Sequence, residues 1–106
     1  MLAELEVLRG AVEGESVAYI MARCRNLWDT PPGEVWASVQ SLTESGQITL
    51  CRKIEGGTQR VEPCGLDATS VARDFAVHVA PTPATFQRMR QLERWAGGEA
   101  GFSQGA

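Results

Sequence analysis

A chain of 106 residues with 43% hydrophobic and 22% charged side chains holds enough apolar material for one compact domain and is too short for a TIM barrel or a full Rossmann domain. Ten basic against 13 acidic residues leave a formal net charge of −3, which excludes a histone-like protein and confines any nucleic-acid contact to a local patch. No apolar run approaches the roughly 18 residues of a membrane span, and the start MLAELEVLRG lacks the basic and apolar regions of a signal peptide; the expectation is a soluble, cytoplasmic protein with no membrane contact.

Leu2, Leu5, Leu8 and Val12 recur at spacings of three and four, which predicts a first helix with Glu4, Glu6, Arg9 and Glu13 on its other faces and Gly14 at its end. Ser16 is a suitable N-cap for a second helix with the stripe Val17, Ile20, Met21 and Cys24, and Arg23 and Arg25 fall in its last turn. Residues 26–32 end in Pro31 and Pro32 and are expected to leave the helix. Thr30 before Pro31 then opens a third helix over residues 31–45, a hydroxyl cap followed by proline where its missing N–H costs nothing. In that helix Val35, Val39 and Leu42 form the buried stripe, while Gly33, Ala37, Gln40, Ser41 and Glu44 project away. Residues 47–54 alternate as a strand does, Gly56 and Gly57 make a turn, residues 58–62 return, and Pro63 stops the hairpin.

This order resembles the winged helix-turn-helix family. Ser16-Val17-Ala18-Tyr19-Ile20 at the start of the second helix carries the resemblance, followed by Val35, Val39, Leu42, Gly46 and Ile48 in the family's apolar rhythm. The run Leu42-Thr43-Glu44-Ser45-Gly46-Gln47-Ile48 is its most family-like part, and the likeness covers about residues 2–62. The turn between the second and third helices departs from the family pattern, being long and holding Trp28 and two prolines. The resemblance implies an α+β fold of three helices plus a two- or three-stranded β-wing in residues 1–63. A C-terminal extension follows over residues 64–96 and a disordered tail over residues 97–106. Within the extension, residues 67–72 read as the start of a helix or, with residues 72–80, as a strand carrying Phe75, Val77 and Val79 on one face. Thr82 before Pro83 opens a last amphipathic helix, with Phe86, Met89, Leu92 and Ala96 on one face, Trp95 near its edge, and an end at Gly97.

What the resemblance implies for function is sequence-specific binding of double-stranded DNA by a small transcriptional regulator, with the third helix in the major groove and the wing on phosphates. Gly33, Ala37, Gln40 and Ser41 are then the base-facing candidates, Gln40 having the amide that pairs with adenine. Thr30, Arg52, Lys53 and Arg60 are placed on phosphates, with Arg23 and Arg25 contributing from the second helix. Phe86, Met89, Leu92 and Trp95 are the candidate contacts of a homodimer, which would present two third helices to a pseudo-palindrome. Residues 31–50 contain Glu34 and Glu44 and no basic residue, so the alternative is a module that docks on a protein, as adaptor or inhibitor, without touching DNA. Trp28 and Trp36 read as a ligand surface or as cover for a thin core, the second being preferred.

No enzyme is expected. Gly14-Glu15-Ser16-Val17-Ala18 half-matches a nucleophile elbow but has no strand before it, and His78 is the only histidine. Cys24, Cys51, Cys64 and His78 lack the close pairs that build a zinc site, so no metal and no cofactor are expected. Cys51 and Cys64 flank the hairpin and would meet if they lay across it, although reduced thiols are the simpler reading.

Overall fold

The computed structural model describes the backbone of residues 2–105 and the side chains of residues 2–94. Its elements are α1 (Leu2–Glu13), α2 (Val17–Trp28), α3 (Pro32–Glu44), β1 (Ile48–Ile54), β2 (Gly57–Arg60), a 3-10 turn (Pro63–Gly65), α4 (Ala68–Val71), β3 (Val77–Pro81) and α5 (Pro83–Gly105). Three helices and a C-terminal helix thus enclose one antiparallel sheet of order β2-β1-β3. Val35, Val39 and Leu42 of α3 meet Leu5 and Leu8 of α1, Val17 and Ile20 of α2, and Ile48, Leu50, Val77 and Val79 of the sheet in a single core. Among the described residues no helix is long and apolar enough to cross a membrane.

Local chemistry explains most boundaries. Gly14 at φ 69 closes α1, a left-handed conformation that costs glycine nothing. Ser16 caps α2 as expected, its hydroxyl accepting from the Tyr19 amide at 3.1 Å. The helix does not stop near Arg25, however, and continues to Trp28. A proline constrains only the residue before it, so Pro31 forbids helical geometry at Thr30 and leaves Leu27 and Trp28 free to finish the turn. Asp29 then closes α2 in a left-handed conformation at φ 53, its amide donating to the Arg25 carbonyl at 3.0 Å. Thr30 is likewise not the cap of α3: Pro31 takes that position at ψ 145 without a side-chain cap bond, and Pro32 is the first helical residue. Two prolines in succession shift the start by one, because the second forces the first to be extended.

Both readings of the C-terminal extension are realised, one after the other. Asp67 caps the short α4 by accepting from the Ser70 amide at 2.7 Å, and the strand begins only at Val77. Phe75 therefore precedes the strand and is 65% exposed, apart from Val77 and Val79, with which the strand reading places it on one face. Two further expectations are corrected in α1: Glu6 is buried, whereas Leu2 and Val12 are exposed. The stripe is turned because α1 is packed against β3, α3 and α5 together, and a helix covered on three sides buries more than one stripe. The Arg88–Glu4 and Arg9–Glu93 contacts share a sequence offset of 84, so α1 and α5 run parallel.

α5 is anchored at its start by two threonines. Thr82 Oγ1 donates to the Gly46 carbonyl at 2.8 Å, and the fully buried Thr85 hydroxyl donates to the Gln47 carbonyl at 2.5 Å while accepting from the Thr82 amide at 2.8 Å. This ties the helix to the turn between α3 and β1. α5 runs to Gly105 and not to Gly97; the expectation of a tail over residues 97–106 and the Trp95 side chain lie outside the described side chains.

Candidate nucleic-acid interface

The hairpin is built by alternation and one glycine. Glu55 and Gly56 form the loop, with Gly56 at φ 87, and Gly57 is already the first residue of β2, paired with Ile54. The register continues Lys53↔Thr58, Arg52↔Gln59 and Cys51↔Arg60. Because side chains alternate across a strand, Arg52, Ile54 and Gln59 share one face and Lys53, Thr58 and Arg60 the other. All of β2 is exposed, and no helix makes more than marginal contact with it, so the hairpin beyond Arg52 protrudes. Lys53 and Arg60 have no ion pair among the described residues.

Arg52 is positioned from the loop before β3. Asp74 accepts from its guanidinium and from the Ala76 amide at 3.0 Å, and these bonds, that of Arg52 foremost, hold the Asp74 carboxyl below the usual aspartate range. The Lys53 amide donates to the Ala76 carbonyl at 2.8 Å, extending the β1–β3 pairing and bringing Arg73 and Phe75 to the hairpin's base. On the sheet, Cys51 lies between Arg60 and His78 as direct cross-strand neighbours. Burial pushes its thiol up, with Arg60 opposing, so Cys51 stays protonated near neutral pH. The register sets Arg60, not Cys64, across from Cys51, and all three cysteines are free. Among the described residues no three His, Cys, Asp or Glu side chains converge to hold a metal.

The other expected contacts separate. Arg23 is fixed between Glu15, at 2.8 and 3.0 Å, and Glu6, at 3.0 Å from its Nε, and stacks on Tyr19 with its guanidinium 5.2 Å from the ring centre. The bonds to Glu15 raise its pKa further, and two carboxylates already neutralise the guanidinium, which disfavours a phosphate contact. Arg25 is exposed and pairs with Asp29 at 3.4 Å. On α3, Gly33, Ala37 and Ser41 share an exposed face with Glu34 and Glu44, Gln40 is half-buried at its margin, and Thr30 is half-buried in the preceding loop. Ala37 and Ser41 also line a shallow groove with Glu4 of α1, whose carboxylate is paired with Arg88 at 2.9 Å, so the charges that α3 itself adds to that face, unpaired among the described residues, are Glu34 and Glu44. Trp36 packs in the core as preferred, but Trp28 is 42% and Leu27 60% exposed at the end of α2. Leu92 is buried in its own chain and Met89 partly so, whereas Phe86 stands half-exposed.

Sequence reasoning missed Gln59, Thr58 and Arg73 beside the hairpin cations. Gln59 and Thr58 were visible as strand residues, and only the protrusion of β2 marks them as accessible. Fold and site together define an α+β domain that presents a basic two-stranded ribbon from an otherwise acidic body. No protein-family model, no curated protein and no solved structure matches the chain.

Proposed function

We propose that the chain is a winged helix-turn-helix domain that binds double-stranded DNA and regulates transcription. The observation that carries this reading is the hairpin: four of the ten basic residues, Arg52, Lys53, Arg60 and Arg73, lie in it or at its base, against Glu55, Glu62 and Asp74 there. A local positive pole on a chain of net charge −3 is the electrostatic footprint of a phosphate-contacting surface. The order α1, α2, α3, hairpin supports the same reading, as does the bridge from Ser16 to His78, which adds the α1–α2 connection to the sheet edge. Dimerisation through α5 would rest on Phe86 and Met89, since Leu92 is already packed within the chain.

Fluorescence anisotropy on random-sequence duplex DNA across a salt series tests this. Three phosphate contacts give a log–log slope of about −2.7, so affinity should fall about 40-fold between 50 and 200 mM salt. The exposed Leu27 and Trp28 favour a second reading, a surface that docks on a protein. Absence of salt-dependent DNA binding at low ionic strength would refute the first reading and select the second.

A further inference from the structure

If the chain binds duplex DNA, the charge distribution assigns the groove-entering role to one element and withholds it from another. The outward side of α3 carries Glu34 and Glu44 with the small residues Gly33, Ala37 and Ser41 and no basic residue. A groove walled by phosphates repels such a face. The hairpin has the opposite character on both of its sides: Arg52 stands on one face and Lys53 with Arg60 on the other.

We propose that the β1–β2 ribbon, and not α3, enters the major groove edge-on with the outer strand β2 deepest, so that Gln59 on one face and Thr58 on the other reach base edges while Arg52, Lys53 and Arg60 meet phosphates on the two walls. This rests on the DNA-binding reading above. Three physical features carry it. First, the major groove is about 12 Å wide and accepts a two-stranded ribbon; cations on both faces match two phosphate walls, whereas a flat lipid or protein surface would meet only one of them. Second, the ribbon is slender at its tip, where Gly56 has open space around its missing Cβ. Third, the residue types are those that read bases: the Gln59 amide can donate to and accept from adenine in a bidentate pair, and the Thr58 methyl can touch that of thymine. Asp74 acts as a positioning residue for Arg52. A guanidinium has five N–H donors in a fixed fork, so the carboxylate fixes its direction and leaves donors for a phosphate.

The test is selection of preferred duplexes from a random pool by the full chain and by the variants Gln59→Ala and Gln40→Ala, with binding then measured on selected and unselected sequences. Circular dichroism and urea unfolding establish that each variant is folded, and Gln59 is exposed, so its loss leaves stability nearly unchanged. The expected result is that Gln59→Ala erases preference at one base position and weakens the selected site roughly tenfold while leaving unselected DNA unaffected. Gln40→Ala should select the same site as the parent chain. A double variant Lys53→Gln/Arg60→Gln should flatten the salt slope by about two on every sequence. Loss of a base preference in Gln40→Ala and not in Gln59→Ala would overturn the ribbon assignment and leave DNA binding standing. Selection unchanged by both variants would also overturn it. No salt-dependent DNA binding by the parent chain, or equal retention on phosphatidylserine vesicles insensitive to Gln59→Ala, would remove the DNA reading and the ribbon assignment with it.

Discussion

Arg23 offers the sharpest separation between a structural and a DNA-contacting arginine. Its side chain is 22% exposed and its partners Glu6 and Glu15 are 9% and 14% exposed, so the three charges sit largely out of water. Removing one member of a buried pair costs about 3–5 kcal/mol because the partner is left desolvated and uncompensated. Glu6 keeps Arg9 at 3.2 Å, whereas Glu15 loses both of its bonds, which places Arg23→Ala at the lower end, about 3 kcal/mol. For a domain of this size that is a fall of about 12–24 °C in Tm. Urea unfolding should show a lower midpoint at an unchanged m-value, and Arg23→Met with Glu15→Gln should recover part of the loss, since the orphaned carboxylate is then gone. The salt slope of DNA binding should not change. A loss of stability under about 1 kcal/mol, the worth of an exposed pair, together with a slope reduced by one, would refute this assignment and return Arg23 to the phosphate contacts.

Gly10 faces Ile20 across the α1–α2 contact, and a Cβ there would fall 2.9 Å from Ile20 Cγ1 and 3.0 Å from Glu15 Oε1. Gly10→Ala should therefore destabilise by about 1 kcal/mol, because overpacking outweighs the gain in helix propensity; a raised urea midpoint would contradict this. Thr85→Val keeps the volume of a fully buried side chain but removes its two hydrogen bonds, and should cost about 2 kcal/mol by the same assay, with a loss under half of that counting against the anchor. Asp74 has a lowered pKa in the folded chain, so the stability it contributes is fully present above the usual aspartate value, about 4, and is lost as pH falls through the lowered folded value. Asp74→Asn should flatten the acid limb of a stability–pH curve, and an acid limb identical to that of the parent chain would show that the Arg52 bond contributes nothing.

Much of the architecture follows from local periodicity. Val35, Val39 and Leu42 stand at helical spacing and are buried as a set, and the alternation from Ile48 to Leu50 is reproduced in the sheet. Ser16, Gly14 and Asp67 act within a few residues of themselves, as caps and stops do, and for that reason their neighbours in sequence suffice to read them. Glu6 shows where this ends. Its place on a polar side of α1 is correct by periodicity, yet α2 brings Arg23 against it, so a charged residue becomes buried and paired. Trp28 is the converse case: an aromatic ring beside an apolar stripe is left half-exposed because α2 outruns the core that would cover it.

By itself the amino-acid order determined the succession of three helices, hairpin and last helix, the strand faces of the hairpin, and the acidic balance of α3. Only the tertiary structure decided which arginines are free. Arg23, Arg52 and Arg60 look alike along the chain, but Glu15 and Asp74, which engage the first two, lie 8 and 22 residues away in sequence. Among the described residues Arg60 escapes such a partner because β2 makes no more than marginal contact with any helix. Periodicity is a property of neighbours, whereas the pairing of a charge depends on which distant segment packs beside it, and packing is settled by the whole core at once.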